Sequence, residues 1–244
     1  MSALAFISKL DTFPFFLVLS GSFLPALFWL WFWLREDKVH PEPPLMLVLA
    51  FLGGMASVFT ALVLQNLLYY YKIDSNSLSI VFYVATEELS KFFFAYIIAL
   101  RSRSDDEPVD PLIYMIATAL GFSALENTLF TAGSLLQTGG LASIYTASLR
   151  YFGATVLHVL ASGSIGVALG FSFYKNHEKK FIFTTIGIVV AIFLHTAFNL
   201  LIIRYGGSNL VLVFVPFWIA VLLLILCFER IKKIFPLPPR FARQ

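Results

Sequence analysis

Charge is the scarcest commodity in this 244-residue sequence: 13% of the residues are Asp, Glu, Lys or Arg, while 59% are hydrophobic. Soluble domains carry about 25% charged residues. So little polar surface cannot coat a water-soluble globule, which excludes a cytosolic enzyme, a disordered tail and a nucleic-acid-binding module. Cysteine is nearly absent as well. Cys227 is the single one and lies in the last apolar run, so there is neither a disulfide framework nor a Cys-rich metal site. Aspartate is missing from the interior of every apolar run, and no His-Glu-x-x-His segment occurs. What is present is apolar bulk, with a mean hydropathy of +0.85. A membrane span takes roughly 20 apolar residues, so the chain has room for at most about eight spans. It reads as one integral membrane domain over 1–244.

Apolar runs bounded by charge, Pro, Gly or polar clusters give seven candidate transmembrane helices, at 13–34, 45–70, 78–100, 111–131, 148–174, 181–203 and 210–228. The expected fold is therefore all-α, a polytopic bundle. The fourth run is the most interrupted, with Thr118, Ser123, Glu126, Asn127 and Thr128; Pro111 after Asp110 suits a helix start. The first run ends in Trp and lacks a small-residue cleavage site, which suits a retained anchor. Connections at 35–44, 101–110 and 175–180 and the basic tail 229–244 hold twelve Lys and Arg; the opposite side holds four, Lys9, Lys72, Arg150 and Arg204. That asymmetry predicts an outside N-terminus and a cytoplasmic C-terminus, with a Gly-, Ser- and Thr-rich outer connection at 132–147. Trp29, Trp31, Trp33 and Tyr69 to Tyr71 fit interfacial belts. Small residues at four-residue spacing, Ser162, Gly166 and Gly170, permit close helix approach, as do Gly53, Ser57 and Ala61. No internal repeat supports an inverted-repeat transporter.

An ionisable residue in the middle of a span costs about 2.5–3.5 kcal/mol on insertion scales, so each one needs a partner or a task. They are few: Glu87, Glu88 and Lys91 in the third run, Glu126 in the fourth, His158 in the fifth and His195 in the sixth, accompanied by Asn127 and Asn199. Counted from the outer ends at ~1.5 Å per residue, Glu87 lies about 14 Å deep, Glu126 about 8 Å, His158 about 15 Å and His195 about 12 Å. Four helices thus bring polar groups to one layer in the outer half of the membrane. Glu87 with Lys91 and His195 with Asn199 are each i,i+4 pairs and project from one helix face. Taken singly, each has a plain structural explanation: an intrahelical ion pair, a histidine clamp between helices, or amide packing glue. As a set at one depth they point to chemistry.

Buried carboxylates and imidazoles suit general acid/base catalysis, metal ligation or proton-coupled transport. Intramembrane peptide hydrolysis needs a nucleophile with its base, or an activated water. The zinc form with two histidines on one helix is absent, because the segment from His195 reads His-Thr-Ala-Phe-Asn. An aspartyl pair is absent too. Ser162 with His195 as base is formally available. A glutamate activating water, with His and Asn donors facing the developing oxyanion, uses the residues present. Two rivals share those residues: a zinc-dependent protease ligated by Glu87, Glu126, His158 and His195, and a proton-coupled transporter or non-catalytic membrane binding protein.

Glu87-Glu88-Leu-Ser-Lys91 resembles the EExxK motif of the PrsW family of glutamic-type intramembrane proteases. The similarity continues through Glu107-Pro108-Val109-Asp110 and Tyr114, then Ala119-Leu120-Gly121-Phe122-Ser-Ala-Leu-Glu126-Asn127, then His158 and His195-Thr-Ala-Phe-Asn199, over roughly residues 80–200. The wider superfamily of CAAX and bacteriocin-processing proteases has His where this chain has Glu126, and His158 is an addition. The resemblance implies cleavage of a membrane-anchored protein, such as an anti-sigma factor, near the outer face of a cell membrane, with no cofactor. It implies Glu87 as general base, Glu88 sharing the site or pairing with Lys91, Glu126 and His158 holding water or substrate, His195 with Asn199 stabilising the oxyanion, and Lys91 and Asn127 in support.

Overall fold

In a bilayer every backbone polar group must be satisfied within the chain, and helices do this segment by segment. A computed structural model describes residues 12–36, 41–73, 78–138, 150–205 and 210–234. Among them there are seven helices and no strand: α1 (Thr12–Glu36), α2 (Pro44–Tyr70), α3 (Ser79–Ala95), α4 (Asp110–Thr138), α5 (Thr155–Ser172), α6 (His177–Tyr205) and α7 (Leu210–Ile231). A π-helical turn, Tyr96–Leu100, extends α3, and another, Arg150–Ala154, leads into α5. Six of the seven are long and apolar enough to cross a membrane, which makes this a multi-pass membrane protein. The exception is α3, at 17 residues, where Glu87, Glu88 and Lys91 fall within about one turn. Its polar middle, more than the interruptions of the fourth run, outweighs the apolar residues around it.

The bundle is built around α4, which packs on α1, α2 and α5; α3 lies against α2 and α6, and α7 closes on α5 and α6. Within the most apolar 18 residues of each helix, 78% are buried in α4 against 28% in α6 and in α7, which present Phe193, Ile203, Leu222 and Leu226 outward. Glycine sets the central spacing. Gly54 of α2 abuts the Thr118 carbonyl and Gly121 of α4 abuts the Phe51 carbonyl, so that a Cβ on either would collide with backbone. On the other side of α4, a Cβ at Gly166 would stand 2.5 Å from Leu112 Cα, and one at Gly170 2.5 Å from the Pro108 carbonyl oxygen.

One end of the bundle is defined by contacts among its termini. Trp33 meets Phe228, Gly170 meets Ile231, and Glu42, just before α2, accepts a hydrogen bond from the Tyr114 hydroxyl in the first turns of α4. Arg101, Lys175, Lys179 and Lys232 sit at this end, called the basic end below. Trp33 corrects the belt reading: at 1% exposure it belongs to the core, its ring centroid 5.5 Å from that of Phe228, while Trp31 and Tyr69 to Tyr71 are exposed.

Most helix limits fall within a turn of the expected ones. The exception with consequences is α4, which continues to Thr138, so residues 132–138 of the expected connection are helical. The rest of that connection, 139–147, the first two residues of the expected fifth run, 148–149, and the tail beyond 234 lie outside the described residues.

Candidate active site

The longer α4 changes the depth of Glu126. Counted from the helix ends opposite the basic end, at ~1.5 Å per residue, Glu87 lies about 12 Å in, Glu126 about 18 Å, His158 about 12 Å from Arg150, and His195 about 15 Å. These residues occupy one layer, and each lies within uninterrupted α-helix. Broken helices at a midplane site, the mark of many transporters, are not the arrangement here.

Glu88 is the most heavily engaged of them. It is fully buried; its Oε1 accepts hydrogen bonds from Lys91 Nζ at 2.5 Å and His195 Nδ1 at 2.7 Å, and its Oε2 from Ser162 Oγ at 2.8 Å. Lys91, equally buried, also reaches His158 Nδ1 at 3.0 Å and lies 4.6 Å above the Phe122 ring centroid. An ammonium group can only donate, so His158 accepts at Nδ1 and carries its own proton on Nε2. That proton goes to Glu126 Oε2, 3.1 Å away. The same oxygen accepts from Arg150 Nη2 at 2.6 Å, and Arg150 Nε donates to Asn127 Oδ1 at 3.0 Å. Asn127 in turn donates to Ser123 and Thr155, so it ties α4 to α5. Charges this deep persist because each is paired and hydrogen-bonded.

Glu87 is different. Its Oε1 accepts a hydrogen bond from Gln65 Nε2 at 3.2 Å, while its Oε2 is buried and has no hydrogen-bond partner among the described residues. That free oxygen lies 3.7 Å from His195 Nε2, too far for a direct hydrogen bond. Glu87 also lines a cleft of about 540 Å³ between α2 and α4. Gln65 and Glu126 border the cleft at its polar centre, with Val58, Ala61 and Phe122 on one side and Ser134 and Gln137 on the other.

The structure therefore brings Glu87, Glu88, Lys91, Glu126, His158 and His195 into one connected layer. Asn199, one turn further along α6, is half-buried, and its side chain hydrogen-bonds to none of the described residues. Three contributors escaped the sequence reading. Gln65 is legible as an amide in an apolar run but is not ionisable; Arg150 falls at the edge of the fifth run and counts there only toward sidedness; Ser162 reads as a formally available nucleophile, whereas its hydroxyl is committed to Glu88.

Glu87, His158 and His195 each offer an atom to a point that a metal ion could occupy, all within 4.8 Å of one another. The donor chemistry is less accommodating. With Lys91 on its Nδ1 and Glu126 on its Nε2, His158 has no lone pair to give. Glu87 Oε2 and His195 Nε2 remain, two ligands where a catalytic zinc takes three. As folded, this set does not fit a zinc site.

A family model described as "PrsW family intramembrane metalloprotease" matches residues 42–225, a stretch that takes in α2 and most of α7 as well as the motifs above. The chain is 23% identical to Protease PrsW of Bacillus subtilis over 84% of its own length and 90% of that protein. It is 23% identical to Protease PrsW of Halalkalibacterium halodurans over 84% and 94%, and 26% identical to that of Clostridioides difficile over 75% and 78%. No solved structure matches. With the match running through well over half of the chain and across every helix of the polar layer, the protein belongs to the PrsW family and is an intramembrane protease.

Proposed function

We propose that the protein hydrolyses a peptide bond of a membrane-anchored protein, of the anti-sigma-factor kind, near the outer face of the cell membrane, using a glutamate-activated water. The observation that carries the mechanism is the contrast between the neighbouring carboxylates: Glu88 is saturated by Lys91, Ser162 and His195, while Glu87 keeps a free oxygen beside the cleft. Glu87 takes a proton from water and the hydroxide attacks the scissile carbonyl carbon. His195, its Nδ1–H held by Glu88, presents Nε2 to the same point; in its doubly protonated form it donates to the oxyanion. The proton on Glu87 then passes to the leaving nitrogen as the C–N bond breaks, giving a carboxylic acid and an amine. Glu126 lines the cleft opposite, braced by His158 and Arg150. No step is routed through a metal or other cofactor.

The twelve-to-four distribution of Lys and Arg supports a cytoplasmic basic end and C-terminus, which puts the Ser134 and Gln137 end of the cleft outside. A substrate's membrane segment enters laterally between α2 and α4. Metal-dependent hydrolysis is the competing reading, favoured by the closeness of Glu87, His158 and His195. Cleavage of a membrane-anchored reporter by the purified protein decides between them. Activity that survives a strong chelator and disappears in Glu87→Gln is the expected result; activity lost on chelation and restored by zinc overturns the glutamate mechanism.

A further inference from the structure

The free oxygen of Glu87 can act as a base only if the carboxylate plane is aimed. The terminal torsion of a glutamate is broad, so an unheld carboxylate presents its oxygens over a range of directions. Here one oxygen is held. Gln65 Nε2 donates to Glu87 Oε1 at 3.2 Å, and the same nitrogen lies 3.5 Å from the Tyr83 carbonyl oxygen, one turn earlier on α3. Gln65 stands on α2, across the cleft mouth from α4, and its neighbours on the cleft wall, Val58, Ala61 and Leu62, have no polar side-chain atom to offer. Amide contacts between membrane helices average about 0.6 kcal/mol, a weak return for placing a glutamine beside the substrate path.

We infer that Gln65 is a positioning residue for the general base: by fixing Oε1 of Glu87 it turns Oε2 toward His195. The inference rests on the reading of Glu87 as the base. It also couples the α2 wall of the entrance to the reacting group, so that a substrate parting α2 from α4 bears directly on the aim of the base.

The test compares wild type, Gln65→Leu, Gln65→Glu and Glu87→Gln as purified full-length proteins cleaving a membrane-anchored reporter, with kcat and KM measured across pH. Gln65→Leu keeps the bulk and removes the donor; kcat is expected to fall about 10- to 100-fold, the cost of a misdirected group, with KM within about twofold. Gln65→Glu keeps the shape and donates only when protonated. Its activity relative to wild type is expected to be highest at acid pH and to fall as pH rises. The titrating groups that face position 65 are Glu87 of α3 and Glu126 of α4; a carboxyl at 65 shares a proton with Glu87, and loss of that proton with rising pH leaves two repelling carboxylates, which is what the falling ratio reads. A wild-type kcat in Gln65→Leu, a loss confined to KM, or a pH-independent ratio for Gln65→Glu overturns the inference. If Gln65→Leu does not accumulate as folded protein, the Gln65→Glu ratio decides alone. Should Glu87→Gln be inactive while Gln65→Leu behaves as wild type, only the role of Gln65 falls; full activity of Glu87→Gln removes the base itself.

Discussion

Nζ of Lys91 and Nδ1 of His158 lie 3.0 Å apart, both side chains closed off from solvent. A lysine on α3 thereby decides which nitrogen of an imidazole on α5 carries the proton, and through it that His158 donates to Glu126. Lys91 also neutralises Glu88. Breaking a buried pair by removing one partner costs about 3–5 kcal/mol, because the other charge is left uncompensated. Lys91→Met is expected to show that scale of destabilisation as a large drop in the thermal midpoint in detergent. The double variant Lys91→Met/Glu88→Gln should recover part of it; a midpoint for Lys91→Met equal to wild type would show that the pair does not hold the fold.

The two adjacent glutamates should separate cleanly on mutation. Glu87→Gln retains the shape and removes only the base, so folding is expected to be near normal while cleavage falls by about 10²–10⁴, the usual contribution of a general base. Glu88→Gln disturbs Lys91, Ser162 and His195 together, and should lower both the thermal midpoint and the activity. Measuring the midpoint and the cleavage rate on the same preparations checks both. Equal loss of stability in the two variants contradicts the division of labour.

This layer was legible in the sequence because intramembrane ionisable groups are expensive and few, and helical spacing already places Glu87, Glu88 and Lys91 together. What could not be read were the partners across helices. Arg150 reaches back to Glu126, and Gln65 forward to Glu87, through tertiary contacts that leave no trace in periodicity. The end of α4 was obscured by composition: Gly133 and Ser134 look like a loop, yet an interrupted helix would strand backbone groups, so the helix runs on to Thr138 and forms the cleft wall. His195 and Asn199 share a face by spacing, but the hydrogen-bond network takes in only the histidine. Trp33 illustrates a residue type with two habits, belt and core, between which packing against Phe228 decides.

Gly121, within the motif that also carries Glu126, tests whether helix spacing is itself functional. Its missing side chain lets α4 lie against the Phe51 carbonyl of α2 directly below the cleft. Gly121→Ala is expected to push the two helices apart at a cost of about 1–3 kcal/mol, the usual range for overpacking. Cleavage should fall further than stability does, since the displaced wall includes Phe122 and Glu126. A variant with wild-type midpoint and wild-type rate would show that the gap is tolerant.

At the basic end, Asp105 lies in the connection between α3 and α4, where burial, with the negative charge of Asp110 second, pushes its carboxyl up to about 7 from an ordinary 3.8. Its Oδ1 is buried without a hydrogen-bond partner among the described residues, which agrees with that direction. Between pH 4 and 7 the folded protein therefore holds a proton that the unfolded chain has released, so this group's contribution to stability is complete below about pH 4 and is lost as pH rises through 7. Asp105→Asn removes the dependence. Thermal midpoints of the two proteins should coincide near pH 4 and diverge as pH rises, with the asparagine variant the more stable at pH 8. A constant gap across that range would place the carboxyl in a solvated, unstrained setting, and one of opposite sign would mean that the fold favours its charged form.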